Sequence, residues 1–420
     1  MNLDVAGLPE RCDVLVVGAG PAGSAAAQLL ARAGRDVVLV DAQAFPRDKV
    51  CGDGLIPDAH RALARLGVLD RVMREARLAS TLACIAPRGG RVDVPGTLAV
   101  LPRKRLDEIV CHAAADAGAR MFAPLRFVAP LRASGTNGAE AGTVIGARLK
   151  QGDVEREIRA RWVVLATGAQ PQATIAAGMC DRRTPSGVAL RGYVRNAAMT
   201  PRITALEVIW HKRLSPGYGW IFPCGADVFN IGVGIAQSHR AGKDGRHAMR
   251  DVNLRDVFAA FKTVYAPARE LVDGGTWLAD EGQELKGAPL RCSLEGARLE
   301  TPGLLVTGEA AGSTYAFTGE GIGKAMETGI HAAEAILASA DDASVRADYV
   351  ARVMALKPRF ALYDDANRAN AHPWLIDLLV WSARRSPRRV QRMAGVLEET
   401  HIPTDAVTVR GVLRRIVDWR

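Results

Sequence analysis

The chain has 420 residues, which suggests two or three domains of ordinary size. Hydrophobic residues make up 48% of it and charged residues 24%, which excludes a mainly disordered chain, a collagen-like chain and a disulfide-stapled scaffold. The net charge of +10 is compatible with an acidic partner such as a nucleic acid or a membrane surface. It does not decide between them, because net charge does not say where on the protein the charge lies. The 42 glycines against 22 aromatic residues predict many tight turns and close backbone approaches to ligands.

The cysteines, the histidines and the N-terminus together predict a reduced, cytoplasmic protein without a metal site. Seven cysteines are scattered along the chain, which fits neither paired CxxC metal ligands nor a disulfide framework. The eight histidines are scattered as well, with no HxxxH pair. Asp4 and Glu10 precede the first apolar run, unlike a signal peptide, and no apolar run reaches the length of a membrane span.

The first clear feature is a nucleotide-binding βαβ unit. Residues 12–17 form a short apolar run typical of a buried parallel strand, and an alanine-rich helix is predicted over Ser24–Gly34. A second strand over Asp36–Val40 ends at Asp41. The predicted loop between the first strand and the helix contains Gly18, Gly20, Pro21, Ala22 and Gly23. A glycine-rich structural turn is the alternative, but the order strand, loop, helix, strand and acid favours a dinucleotide site.

The three loop glycines and the acid have distinct expected roles. The first glycine allows the tight turn, the second lets a pyrophosphate approach the backbone, and the third lets the helix pack closely on the strand. The helix N-terminus then offers free N–H groups to the phosphates. Asp41 is placed to accept hydrogen bonds from both ribose hydroxyls and would repel a 2′-phosphate. FAD or NAD is therefore expected in preference to NADP.

A second glycine motif decides between FAD and NAD. Gly308–Gly312 reads GEAAG after a predicted strand, and here the sequence resembles the flavoprotein hydroxylase superfamily. In that superfamily a Gly-Asp pair at this place binds the ribityl chain of FAD. Glu309 stands in place of that Asp and keeps a carboxylate acceptor on a side chain one methylene longer. The resemblance therefore implies that Gly308 and Glu309 contact FAD.

Three further segments extend this resemblance. A long helix opens at Gly319, Gly321 and Ile322, and its N-terminus would point at the flavin pyrimidine ring and favour the anion of reduced flavin. Arg103 matches a family helix start whose arginine usually contacts FAD, the alternative being a surface cation. Gly168, after Thr167, stands where related hydroxylases carry an Asp-Gly pair used for FAD and NAD(P)H. The electron donor stays open between NAD(P)H and a reduced protein partner.

Two more segments are similar to one branch, the geranylgeranyl reductase family. Pro46–Gly54 reads PRDKVCGDG and resembles the family pattern P-R-D-K-x-C-G-x-G, which adds Arg47, Cys51 and Gly52 as expected cofactor contacts. Tyr218–Pro223 reads YGWIFP and is similar to the family's Y-x-W-x-F-P substrate motif, which a G-x-G follows at the expected distance. The resemblance covers about residues 12–340 and leaves the tail unexplained.

These resemblances complete the predicted architecture, an α/β fold in three parts. A Rossmann-like FAD-binding domain is interrupted by a mostly antiparallel β-sheet substrate domain, and a helical C-terminal tail follows. Buried-strand runs over residues 161–166 and 303–308 support the discontinuous domain, and apolar-polar alternation over 185–295 supports the inserted sheet. We assign the FAD-binding domain to 10–180 and 296–342, the substrate-binding domain to 181–295 and the helical C-terminal region to 343–420.

The branch resemblance implies reduction of carbon–carbon double bonds in an isoprenoid or other apolar chain, with the hydride from reduced flavin N5. Cys51 is the candidate catalytic proton donor, since a free thiol is mostly protonated at neutral pH; the alternative is a buried small hydrophobe. Asp53 is expected to cap a helix that begins near Leu55 and not to transfer protons.

The substrate face is predicted from a strand pattern. Tyr218, Trp220 and Phe222 alternate along one strand and therefore share a face, either as the wall of an apolar substrate tunnel or as an ordinary aromatic core. Two other functions stay open. A FAD-dependent monooxygenase or halogenase shares the cofactor loops, although this aromatic pattern fits the halogenase W-x-W-x-I-P motif less well. A flavin-binding regulator without turnover is compatible with the cofactor motifs alone.

The tail carries an unusual segment over residues 374–392. Trp374 and Trp381 flank an apolar block, and five arginines follow it. This composition is typical of an interfacial amphipathic segment that docks at an anionic membrane, the alternative being a core-packing helix with a solvated basic face. Nucleic-acid binding is not expected, because no recognition motif accompanies the charge.

Overall fold

A computed structural model describes residues 3–135, 140–236, 239–241, 247–249, 252–279, 282–295 and 297–400. The strands are β1 Arg11–Val17, β2 Val37–Val40, β3 Gly54–Leu55, β4 Arg77–Ile85, β5 Arg91–Val100, β6 Arg120–Phe122, β7 Arg126–Arg132, β8 Val144–Gln151, β9 Val154–Leu165, β10 Gly187–Arg195, β11 Leu206–Ile209, β12 Gly217–Gly225, β13 Val228–Ala236, β14 His239–Ala241, β15 His247–Met249, β16 Thr276–Trp277, β17 Lys286–Leu290, β18 Glu300–Thr301 and β19 Leu304–Val306. The helices are α1 Pro21–Arg32, α2 Pro57–Leu66, α3 Leu69–Glu75, α4 Arg103–Asp116, α5 Gln172–Ala176, α6 Leu254–Val264, α7 Ala266–Asp273, α8 Ile322–Ala338, α9 Asp342–Met354, α10 Lys357–Ala366, α11 Arg368–Ala371, α12 Trp374–Ala383 and α13 Pro387–Leu397.

The first sheet is the predicted Rossmann-like sheet. Its order is β18-β19-β9-β1-β2-β6, and the four neighbouring pairs from β19 to β6 are parallel. β1 lies in the centre because its apolar run Val14–Val17 is buried on both faces. Helices α1, α4, α8 and α9 cover one face, and the β7–β8 hairpin helps to cover the other. The α/β class with a Rossmann-like FAD-binding fold is therefore confirmed.

The chain leaves this sheet and later returns to it. β19 pairs with β9 after the strands of a second sheet have intervened, as the discontinuous arrangement requires. The second sheet runs β16-β10-β13-β12-β11-β4-β5-β3, with β17 paired to β10, and it is antiparallel except between β11 and β4. Strands β3 to β5 join it from residues 54–100, which lie outside the range predicted for the substrate domain. The domain boundaries themselves stay a prediction.

The C-terminal helices pack across this second sheet. α13 approaches β5 so closely that a Cβ at Gly96 would lie 2.7 Å from the Leu397 side chain, and a Cβ at Gly90 would lie 3.1 Å from Val380 of α12. Of the predicted helical tail, residues 401–420 lie outside the described residues. No helix in the described part of the chain has the length and apolar character needed to cross a membrane. All seven cysteines are free.

Candidate active site

A cavity of about 2120 Å³ extends from the nucleotide loop, past the second sheet, to α12 and α13. Its volume exceeds the roughly 300–1,000 Å³ of a typical small-molecule pocket, so it has room for a cofactor and a substrate together. Most residues predicted from sequence meet in it: its lining includes Gly18, Gly20, Pro21, Ala22, Asp41, Arg47, Cys51, Gly52, Arg103, Gly168, Glu309, Gly319, Gly321 and Ile322, and also Tyr218, Trp220 and Phe222. Gly23 and Gly308 do not line it.

The loop glycines divide into packing positions and an open position. A Cβ at Gly23 would lie 1.8 Å from the carbonyl oxygen of Gly18, so only glycine lets α1 approach β1 this closely. Gly308 has φ +66° and packs against Ala22, which explains its absence from the cavity wall. A Cβ at Gly20 would have its nearest heavy-atom neighbour 3.6 Å away, on Arg47. The backbone at Gly20 is therefore open to the cavity, where a ligand could approach it closely.

Asp41 lies at the end of β2 with its carboxylate on the cavity. One oxygen accepts a hydrogen bond from the Ala19 N–H at 2.8 Å, and the other accepts one from the Gln43 N–H at 2.9 Å. The Arg47 Nε lies 3.5 Å from the Asp41 carboxylate. These contacts hold the carboxylate beside the loop, where the sequence predicted a ribose acceptor.

Arg47 and Arg103 share one buried carboxylate, Asp107. Arg103 forms two hydrogen bonds to Asp107, at 2.6 and 2.8 Å, and Arg47 Nη1 adds a third at 3.0 Å. Burial alone would raise the pKa of Asp107, but the two guanidinium groups outweigh it and hold that pKa below its usual value. Asp107 and Asp41 together balance the charge of the two arginines, whose guanidinium groups line the cavity and can donate hydrogen bonds to an anionic group there.

The residues present fit FAD. The open backbone at Gly20, the Asp41 carboxylate and the cationic pair Arg47 and Arg103 provide donors and acceptors for phosphates and ribose. The Thr167 hydroxyl lines the cavity, is buried, and has no hydrogen-bond partner among the described residues, so a ligand atom would satisfy it. Glu309 also lines the cavity and accepts a hydrogen bond from the Thr314 hydroxyl at 3.3 Å.

The Cys51 thiol lines the cavity beside the Arg103 guanidinium. Burial raises the pKa of Cys51, Arg103 opposes this, and the Asp53 carboxylate adds to it. The thiol therefore keeps its proton at neutral pH. This is the protonation state that a proton donor needs.

Asp53 holds the loop that carries Cys51, and its predicted role as a cap on a helix near Leu55 is wrong. That helix, α2, begins at Pro57 and has no side-chain cap, whereas Asp53 accepts a hydrogen bond from the N–H of Arg103, the first residue of α4. The other Asp53 oxygen accepts hydrogen bonds from the Tyr193 hydroxyl at 2.5 Å and from the Asn230 amide at 2.7 Å. Burial raises the pKa of Asp53 to about 6, although Arg191 and these donors oppose the shift.

The aromatic face predicted on β12 borders the cavity above this loop. A Cβ at Gly52 would lie 3.2 Å from the Phe222 ring and 3.5 Å from Trp220 Nε1, so glycine lets the loop pass directly beneath the rings. Trp220 donates to the Asn230 amide oxygen at 2.9 Å, and Tyr218 donates to the Thr318 carbonyl. The face is therefore fixed by hydrogen bonds to both neighbouring segments.

Several residues of this site were not predicted from sequence. Trp210 and Phe317 extend the wall. The Trp210 ring stacks on Phe317 with 6.0 Å between ring centroids, and it is tilted against Tyr218 with 5.7 Å between centroids. Glu320 lies within the recognised helix-opening motif and lines the cavity; burial raises its pKa to about 8, with Asp58 adding to the shift. Trp210 ends the strand-like run 205–210, so its alternation was visible, but no local pattern places Phe317 beside it. In the described part of the chain, no His, Cys, Asp and Glu cluster is arranged to hold a metal ion.

Comparison with known proteins agrees with this geometry. Residues 11–217 match the family model described as FAD binding domain. Menaquinone reductase of Mycolicibacterium smegmatis is 36% identical over 336 residues, which cover 77% of this chain and 76% of that protein. Digeranylgeranylglycerophospholipid reductase of Methanosarcina mazei is 30% identical, over 80% of this chain and 78% of that protein.

Two solved structures share the fold at lower identity. A geranylgeranyl bacteriochlorophyll reductase-like protein of Thermoplasma acidophilum has a TM-score of 0.67 and 21% identity, covering 97% of this chain and 96% of that one. A flavin-dependent brominase has a TM-score of 0.72 and 18% identity, covering 97% and 98%. The fold alone therefore does not separate reductases from halogenases. The relatives by sequence are named as reductases. The chain therefore belongs to the geranylgeranyl reductase family and is an FAD-dependent oxidoreductase.

Proposed function

We propose that this protein reduces carbon–carbon double bonds in the isoprenoid chain of a quinone or another lipid. The observation that carries the proposal is that the Cys51 thiol, the cofactor loop residues and the aromatic face of β12 all line one continuous cavity. FAD, when bound and reduced, supplies a hydride. The protein must then supply a proton, an apolar binding surface and exclusion of water.

Cys51 is the proposed proton donor. Its thiol is held protonated by burial, and its loop is held by hydrogen bonds from the Arg103 N–H to Asp53 and from the Asn230 amide to Asp53 and the Cys51 carbonyl. Arg103, on the same loop network, contacts the thiol and would stabilise the thiolate that remains after proton transfer. Glu320 is a second group in the cavity lining that holds a proton at neutral pH.

The proposed substrate is an apolar chain with planar double bonds. Tyr218, Trp220, Phe222, Trp210 and Phe317 present aromatic rings to the cavity, and such rings bind a hydrocarbon chain without leaving polar groups unpaired. Beyond the rings, apolar side chains of β4 and β5 continue the lining: Leu82, Cys84, Val94 and Leu98. The names of the two sequence relatives, a menaquinone reductase and a geranylgeranyl lipid reductase, support a lipid of this kind.

The electron donor is proposed to be either NAD(P)H or a reduced protein partner. Thr167, which lines the cavity, offers a hydroxyl where related hydroxylases have a carboxylate. Mixing the oxidised holoenzyme with NADH or NADPH without oxygen distinguishes the donors. Bleaching of the flavin absorbance within seconds supports direct reduction, and an unchanged spectrum with normal reduction by dithionite supports a protein donor.

Anaerobic single turnover tests the proposed function. The holoenzyme is reduced with dithionite and mixed with a polyprenyl quinone or a geranylgeranyl phospholipid in detergent. The proposal predicts that at least one of these lipids accelerates the return of the flavin absorbance. No acceleration by any unsaturated lipid supports the regulator alternative, and an oxygenated or halogenated product in air supports the alternative suggested by the brominase fold.

A further inference from the structure

Helix α12 places large apolar side chains on its solvent face. Trp374, Leu378 and Trp381 follow the spacing i, i+4, i+7 and are 56%, 37% and 56% exposed. The opposite face carries Ile376 and Val380, which are buried against the second sheet. The helix therefore has an apolar face for the core and a second apolar face for which the described part of the chain provides no cover.

Cations follow this exposed stripe in the chain. Five arginines follow α12 directly, and none of them forms an ion pair with a described acidic residue: Arg384, Arg385, Arg388, Arg389 and Arg392. The Arg385 guanidinium lies 4.1 Å from the Trp381 ring, so the first cations extend the stripe itself. Asp377 is the one acidic residue in 374–397, and its carboxylate is engaged by the Arg88 N–H at 3.0 Å. The segment 374–397 therefore carries a net charge of +4 beside tryptophan rings.

The same segment forms the outer wall of the active-site cavity. Leu378, Trp381 and Arg385 line the cavity and are exposed to solvent, so the stripe is continuous with the cavity lining. Leu375 and Leu379 of the same helix also line the cavity. An apolar chain that enters between α12 and the β4–β5 hairpin would pass from the stripe to the aromatic face of β12 without crossing water.

We propose that α12 and the arginines after it dock on an anionic phospholipid bilayer, with Trp374, Leu378 and Trp381 at the acyl boundary and the arginines at the phosphate groups. This inference rests on the proposed function, since it names the surface from which the lipid substrate enters. Exposed tryptophans beside uncompensated arginines match the two requirements of an interfacial helix, apolar depth and attraction to anionic lipid. A protein partner would need complementary acids for the arginines and a flat apolar patch for the rings.

Vesicle flotation with the full holoenzyme tests this docking. Vesicles of phosphatidylcholine alone are compared with vesicles of phosphatidylcholine and phosphatidylglycerol in equal parts. The expected result is flotation with the anionic vesicles, and a partition coefficient that falls about fivefold for each of the substitutions Arg384→Gln, Arg388→Gln and Arg392→Gln. Trp374→Ser with Trp381→Ser is expected to abolish flotation with the anionic vesicles, and no flotation is expected with phosphatidylcholine alone.

The matched control uses an exposed apolar residue and an exposed arginine on β9, in the first sheet. Val154→Ser and Arg156→Gln remove the same kinds of side chain from the other sheet and are expected to leave flotation unchanged. Retained FAD absorbance shows that each variant is folded. Absence of flotation of the unmodified protein, or equal flotation of the α12 variants and the controls, overturns the proposal. Because flotation measures binding alone, it fails independently of the detergent-based turnover assay.

Discussion

The side-chain amide of Asn230 donates a hydrogen bond to the Asp53 carboxylate at 2.7 Å. Asn230 belongs to β13 of the second sheet, and Asp53 ends the loop that carries Cys51, so this contact connects the substrate face to the proposed proton donor. The same amide donates to the Cys51 carbonyl at 2.8 Å, and Trp220 donates to the Asn230 oxygen. One buried asparagine therefore fixes the loop and the aromatic face relative to each other.

Asp53→Asn should change how stability depends on pH. Because burial raises the folded-state pKa of Asp53 to about 6, above the unfolded value of about 3.9, the folded protein binds this proton more tightly than the unfolded chain does. Protonation of Asp53 therefore stabilises the folded protein. This contribution to the free energy of unfolding is fully present below about pH 4 and is lost as the pH rises through about 6, a change on the order of 3 kcal/mol. Asparagine tolerates the positive φ of 65° at this position and cannot titrate.

The measurement is the free energy of urea unfolding of both proteins across this pH range. As the pH rises from about 4 to about 6, the free energy of unfolding of the unmodified protein should fall steadily relative to that of Asp53→Asn. A difference that does not depend on pH would show that Asp53 does not titrate in this way.

Asp107→Ala should destabilise the protein and release FAD. The substitution leaves the buried guanidinium groups of Arg47 and Arg103 without their shared carboxylate, at an expected cost of about 3–5 kcal/mol in the free energy of unfolding. Glu75→Ala is the matched control, because it breaks an exposed pair with Arg105 and should cost below about 1 kcal/mol. Urea unfolding and the flavin-to-protein absorbance ratio measure both effects. Equal losses of unfolding free energy and of bound FAD in the two variants would contradict a special role for the buried Asp107 carboxylate.

Gly20→Ala and Gly23→Ala should separate cofactor binding from folding. Alanine at Gly20 meets no atom closer than 3.6 Å, so the apoprotein should unfold at an unchanged urea concentration while the Kd for FAD rises at least about tenfold. Alanine at Gly23 would meet the Gly18 carbonyl oxygen at 1.8 Å and should prevent folding of this unit. Fluorescence titration of the apoprotein with FAD gives the Kd. Normal FAD affinity in Gly20→Ala would place the cofactor away from this loop.

Cys51→Ala should slow turnover without loss of FAD. Removal of a proton donor typically lowers a rate by about 10²–10⁴-fold, and this loss should be seen in anaerobic reoxidation by lipid but not in reduction by dithionite. Because burial raises the pKa of Cys51, the rate of the unmodified enzyme should not fall near pH 8.5, where a free thiol ordinarily loses its proton. Cys12→Ala, away from the cavity lining, is the control. A normal rate in Cys51→Ala would transfer the role of proton donor to another group, with Glu320 the next to test.

The cofactor half of the site could be predicted from sequence because its signals are local. The run from Val14 through the glycine loop to Asp41 encodes strand, turn and acid within a short stretch, and the structure builds a parallel sheet and α1 there. The motif at 308–322 is equally local, although only the fold shows that Gly308 packs against Ala22 and does not line the cavity.

The substrate half was harder to predict because its contacts join distant segments. Asp53 caps α4, whose first residue lies 50 positions away, so the nearer helix α2 was the natural but wrong expectation. Strands β4 and β5 join the second sheet through a parallel pairing with β11 more than a hundred residues later, and no local pattern specifies that partner. Phe317 reaches Trp210 by the same kind of long-range contact.

The most direct test of the proposed reduction is the identity of the product after one anaerobic turnover. The dithionite-reduced holoenzyme is mixed with a polyprenyl quinone in heavy water, and the extracted lipid is analysed by mass spectrometry and NMR. We expect a product with one double bond of the isoprenoid chain saturated and with solvent deuterium added at that bond, and we expect Cys51→Ala to form it far more slowly. Recovery of the quinone with every chain double bond intact, while the flavin is reoxidised, would contradict the proposed reduction.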